Sequence, residues 1–105
     1  MKPLSALGCA LSACAIAASL PRAGSRTIRI SNFAFAPAVL TVSHGDTVEW
    51  VNQDSFIHTT AADSAAWSSP EIAKGDRFVF VASHVGRFSY HCTAHPIMRG
   101  EIVVQ

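Results

Sequence analysis

From Thr27 onward the apolar residues of this chain recur at every second position, in short runs, and never at helical spacing. Ile28 and Ile30 flank Arg29, Leu40 and Val42 flank Thr41, and Val48 and Trp50 flank Glu49. The pairs Phe78/Phe80, Phe88/Tyr90 and Ile102/Val104 repeat the pattern. Successive side chains on a strand point to opposite faces, so each run builds one apolar face on a segment of ordinary strand length. Turn formers separate the runs: His44-Gly45-Asp46, Asn52-Gln53-Asp54, Lys74-Gly75-Asp76 and Val85-Gly86. With no helical pattern to cover a sheet, two sheets must cover each other. The expectation is an all-β chain, an antiparallel Greek-key β-sandwich of about 7–8 strands. At 105 residues it makes one small domain, without internal repeats or low-complexity tracts. Strands alone describe an immunoglobulin-like adhesion module equally well, so function has to come from particular residues.

The first residues read as a leader rather than as part of that fold. Lys2 precedes an almost uncharged stretch from Leu4 to Leu20 that ends in small residues, the pattern of a secretory signal peptide over residues 1–23. Cleavage is expected between residues 17 and 23, after Ala15-Ile16-Ala17 or after Ala23, leaving a domain over 24–105. The stretch is too short and too weakly apolar for a membrane span. A second reading takes Leu11-Ser12-Ala13-Cys14 as a lipobox, with Cys14 lipidated and anchoring the protein. The very short apolar run before Cys14 and the apolar residues after it argue against that, and plain export to the periplasm is the reading adopted.

Removal of the leader leaves six basic residues against seven acidic ones, a balance that excludes a nucleic-acid partner, which calls for a strongly basic face. It also takes away Cys9 and Cys14, so that Cys92 alone remains of the three cysteines. A small exported domain ordinarily needs disulfides or a metal to hold it, and one cysteine allows no disulfide. A lone thiol in an oxidising compartment is a liability unless something occupies it.

The residues around Cys92 supply an occupant. In Tyr90-His91-Cys92-Thr93-Ala94-His95-Pro96-Ile97-Met98-Arg99-Gly100, Cys92 ends a strand and shares the inward parity of Phe88 and Tyr90, and His95 and Met98 follow on a short loop. Thiolate, imidazole and thioether together suit copper, and trigonal His₂Cys ligation with a weak axial Met is the electron-transfer arrangement. It requires a second imidazole, and His58 supplies it after the Val48–Val51 run and its turn. Taken singly, a loop histidine is usually surface, a lone methionine core and a lone cysteine a small buried hydrophobe. The combination of one cysteine, spaced His and Met, and an upstream His in an exported sandwich points to a metal centre of His58, Cys92, His95 and Met98.

From about Thr27 to Val104 the chain resembles the plastocyanin/azurin class of cupredoxins, through Phe35-Ala36-Pro37, the stretch from Val42 to Asn52, the His58 region and the Cys92–Met98 loop. The compact Cys-x₂-His-x₂-Met spacing, with Tyr-His-Cys before it and Met-Arg-Gly after it, looks most like the amicyanin-like members. The resemblance implies one type-1 copper ion on those four residues, no catalysis, a monomer, and single-electron exchange with exported redox proteins. An amine dehydrogenase as donor and a c-type cytochrome as acceptor are the partners it implies. It further implies an apolar patch around the His95 ring edge as the docking surface, with Pro96 and Ile97 in it and Phe56, Ile57 and Pro70 as neighbours. The alternative for Ile97 is inward packing over the metal. Two positions depart from the family's pattern: Thr59 stands where an Asn commonly braces the ligand loops, and Ile57 where a Pro is frequent. These bear on the rigidity and potential of the site.

The other histidines read as background. His44 and His84 lie at turns, and His91, next to Cys92, points to the opposite face. In copper nitrite reductases such a His-Cys pair links a type-1 copper to a second, catalytic one, which makes a small copper enzyme using His91 an alternative function. It lacks the further histidines a second copper needs. Multicopper oxidases carry a histidine immediately after the cysteine, where this chain has Thr93, and a dinuclear copper centre needs two cysteines. Copper storage or delivery is a third reading, disfavoured by a single closed ligand set.

Overall fold

The computed structural model describes residues 23–105. The leader over 1–23, its cleavage sites and the Cys14 reading therefore lie, but for Ala23, outside the described residues. Among the described residues eight strands form: β1 (Ser25–Ser31), β2 (Ala34–Ala36), β3 (Val39–Val42), β4 (Thr47–Asn52), β5 (Ala61–Ala62), β6 (Arg77–Val81), β7 (Gly86–His91) and β8 (Arg99–Val104). They make two four-stranded sheets, β2-β1-β4-β6 and β3-β8-β7-β5. The six alternating runs all appear as strands. β2 and β5 were not among them, because three residues and two residues are too short to show a period.

The sandwich is the expected one, but its sheets are mixed. β1 pairs with β4 in parallel, and so does β3 with β8, while the remaining pairs are antiparallel. Connectivity explains this. After β1 and β2 the chain crosses to the other sheet as β3, then returns as β4 beside β1, so β1 and β4 are joined by a crossover and not by a hairpin.

Alternation delivers the core. Ile28, Ile30, Val48 and Trp50 from one sheet meet Val42, Tyr90, Ile102 and Val104 from the other, all buried. Leu40, Phe78, Phe80 and Phe88 pack partly buried around them. A loop residue joins the two layers: Trp67 packs on Trp50 and Phe80 of one sheet and on Phe88 and Tyr90 of the other. Its ring N–H donates to Thr60 Oγ1 at 3.0 Å, which satisfies the polar edge of a buried indole. Tyr90 and Trp50 meet edge-on, and burial pushes the Tyr90 hydroxyl above the ordinary phenol range.

Candidate metal centre

Cys92 follows the last residue of β7, with its side chain fully buried in the core cluster. The loop after it closes on itself: Cys92 N–H donates to the Met98 carbonyl at 3.1 Å and Met98 N–H to the His95 carbonyl at 2.9 Å. That closure brings Met98, 2% exposed, into the same cluster as Cys92. His95 sits half-buried on the loop between them.

His58 arrives from far away in sequence through backbone pairing. Its N–H and carbonyl pair with Ile72, and three residues later Ala61 pairs with His91 on β7. The result places His58 Nδ1 3.9 Å and His95 Nδ1 3.8 Å from Cys92 Sγ. One donor atom from each of His58, Cys92 and His95 falls within 4.8 Å of the others, and among the described residues they are the one such group of His, Cys, Asp and Glu. Burial pushes the Cys92 thiol up, but hydrogen bonds from the Thr59 N–H and from the two imidazoles outweigh it and bring the pKa down to about 6. The sulfur is thus disposed to be a thiolate at neutral pH, which is the form that ligates metals.

Thr59 fills the bracing role that its identity left open. Its N–H points at Cys92 Sγ at 3.4 Å, its Oγ1 accepts the Thr93 N–H at 2.8 Å, and its hydroxyl shares a 2.8 Å hydrogen bond with that of Thr93. A hydroxyl thereby ties the His58 segment to the Cys92 loop. Ile57, in the other departing position, is exposed.

Around His58, Cys92 and His95 lies a layer that spacing along the chain does not reveal. His58 is fully buried, and its Nε2 meets Asp54 Oδ2 at 2.9 Å, a contact that fixes the ring orientation. Burial pushes the Asp54 carboxyl up, but N–H donation from Phe33 and Asn32 and the His58 ring hold it below the usual carboxylate range. Asn52, also fully buried, accepts the Asp54 N–H and donates to the Phe56 and Ile72 carbonyls, so one amide anchors the whole loop. The carboxylate four residues before His58 was a readable signal. By composition alone Asn52-Gln53-Asp54 reads only as a turn.

Ile97 is 91% exposed, which excludes inward packing, and Phe33, Phe56 and Ile57 are exposed as well. His91 lies on the face opposite Cys92, partly exposed, with Nδ1 2.7 Å from Asp63 Oδ1. Arg99 donates to the other oxygen of that carboxylate.

A family model for a cupredoxin-like domain matches residues 4–104. Amicyanin from Paracoccus denitrificans is 31% identical over 87 residues, 78% of this chain and 66% of that protein, so the chain spans just under two thirds of that relative. Among solved structures, a purple cupredoxin from Nitrosopumilus maritimus superposes with a TM-score of 0.72 at 28% identity, covering 76% of this chain and 99% of that one. A Cu-containing nitrite reductase from Thermus scotoductus gives 0.72 at 27% identity, covering 82% of this chain but 23% of the other. With the mixed sandwich, the buried thiol between two imidazoles and a family model that spans nearly the whole sequence in agreement, the chain belongs to the cupredoxin-like family.

Proposed function

We propose that this domain is a type-1 copper electron carrier in which His58, Cys92, His95 and Met98 would hold one copper ion. The observation that carries the reading is the buried Cys92 sulfur flanked within 4 Å by one ring nitrogen from each of two histidines, with Met98 buried alongside. This donor set fits copper and not a hard cation, since thiolate and thioether are soft ligands. When bound, the copper would supply a one-electron couple whose potential the Met98 thioether and the hydrogen bonds at the Cys92 sulfur would adjust. The protein's part is to hold the ligands still. His58 is fixed by Asp54, the cysteine loop by its own backbone bonds, and the two segments are fixed to each other by Thr59.

The carrier serves exported redox proteins, and its kinship with amicyanin supports an amine dehydrogenase as donor and a c-type cytochrome as acceptor. The exposed apolar residues Ile97, Ile57 and Phe56 form the surface where such partners meet the His95 edge. Brief redox encounters bury little area, so a small apolar patch suffices.

Loading with Cu(II) is expected to give one copper per chain, an intense visible thiolate-to-Cu(II) band and a type-1 EPR signal. Cys92→Ser should abolish the band. Met98→Leu should keep a coloured site and raise its potential, because a donor that favours Cu(II) is gone. Persistence of the band in Cys92→Ser overturns the assignment. The nitrite reductase likeness keeps a copper-enzyme domain as the second reading. On that reading a second copper and nitrite turnover would be present and both would vanish in His91→Ala. On the carrier reading that variant keeps its copper and its spectrum.

A further inference from the structure

The loop between β1 and β2 consists of two residues, Asn32 and Phe33, both with positive φ, 53° and 58°. Two left-handed residues in a two-residue hairpin loop are the geometry that favours Asn-Gly, because it matches the twist of the flanking strands. Asn suits the first position. A bulky aromatic in the second is an outlier, since its Cβ crowds the backbone there, and such strain persists only where the surroundings over-determine it.

Two sets of contacts over-determine it. Asp54 accepts the Asn32 N–H on Oδ1 at 2.7 Å and the Phe33 N–H on Oδ2 at 2.9 Å, and the same Oδ2 meets His58 Nε2. The Phe33 ring stands edge-on to both His58 and His95, each at 5.1 Å between centroids, and tilts against Phe56 at 5.0 Å. One carboxylate therefore grips a ligand imidazole and the strained turn at once. The ring that the turn presents touches both imidazoles from the solvent side, with 42% of Phe33 still exposed.

We propose that Phe33, held in its strained turn by Asp54, is the positioning residue that covers the imidazole pair and keeps small anions and water from the metal. This rests on the copper reading above. Hairpin formation does not require a phenylalanine, and glycine would relieve the turn; the ring is there for what it covers.

Phe33→Gly separates these roles, because it removes the ring while suiting the backbone. The copper-free variant is expected to melt at or above the temperature of the parent. Its Cu(II) form should show azide-dependent changes in visible and EPR spectra that the parent does not show, and Phe33→Leu should restore resistance by replacing bulk. Asp54→Ala should speed amide hydrogen exchange at Asn32 and Phe33 about tenfold or more in the copper-free protein, by releasing the turn. It should also open the copper form to azide. Azide resistance in Phe33→Gly overturns the proposal, as does unchanged amide exchange in Asp54→Ala. A parent protein that takes up no copper overturns the carrier reading instead, and the exchange measurement, which needs no metal, still decides whether Asp54 holds the turn.

Discussion

Thr59 shows how one side chain replaces another by doing the same physical job through a different group. Its hydroxyl accepts a backbone N–H from the cysteine loop, as a side-chain amide oxygen would, and its own N–H is directed at the Cys92 sulfur. Thr59→Val keeps the shape and the N–H but leaves the Thr93 N–H without its acceptor. The expected cost is about 1 kcal/mol, read as a lower thermal midpoint of the copper-free protein, with the visible band of the copper form retained because the sulfur keeps its backbone donor. Loss of the band would show that the hydroxyl itself orders the ligands. Cys92, His95 and Met98 were legible as a candidate set because they are neighbours in sequence. Asp54 and Phe33 were not, because what they do depends on contacts with His58 and His95 that no spacing along the chain encodes.

Between elements, the β7–β8 pair holds the most crowded of the described glycines. Tyr90 opposes Gly100, and a Cβ on Gly100 would fall well inside contact distance of the Tyr90 ring. The ring cannot swing away, since Phe35, Trp50 and Trp67 enclose it. Gly100→Ala is therefore expected to destabilise by about 1–3 kcal/mol, measured by urea denaturation. The glycine is required by its neighbour and not by its own backbone, and only the register reveals this. A second tie runs through Asp46, whose carboxylate accepts the Gly24 N–H ahead of β1 at 2.7 Å and the Ser43 N–H after β3 at 2.8 Å. Those donors, Gly24 first, outweigh burial and hold the carboxyl below its usual range, with Arg26 adding to the effect. A lowered folded-state pKa means a contribution fully present above the ordinary carboxylate value of about 4 and lost as pH falls through the lowered one. Asp46→Asn should accordingly melt lower than the parent at pH 7, and the gap should narrow as the pH drops below about 4.

For the molecule as a whole, the metal is expected to be part of the fold's stability. The domain is small, and among the described residues Cys92 is a single free thiol, so no disulfide forms within residues 23–105. A ligand that binds only the native state stabilises it by about 4 kcal/mol at a thousand times its dissociation constant. Calorimetry of the copper and copper-free forms should show a clearly higher midpoint with copper, and equal midpoints would contradict the account. The sequence by itself determined the six longer strands and the loop that groups Cys92, His95 and Met98. Alternation is a local property, visible wherever a run is long enough, and Cys92, His95 and Met98 fall on one turn of chain. Only the tertiary structure decided that β1 and β4 run parallel, that His58 reaches Cys92 through the Ala61–His91 pairing, and that Trp67 joins the layers. It alone decided that Asp54 and Phe33 enclose the imidazoles. The reason is that strand direction and inter-loop contact are set by which buried surfaces meet after the chain has crossed between sheets, and that meeting is a property of the packed whole.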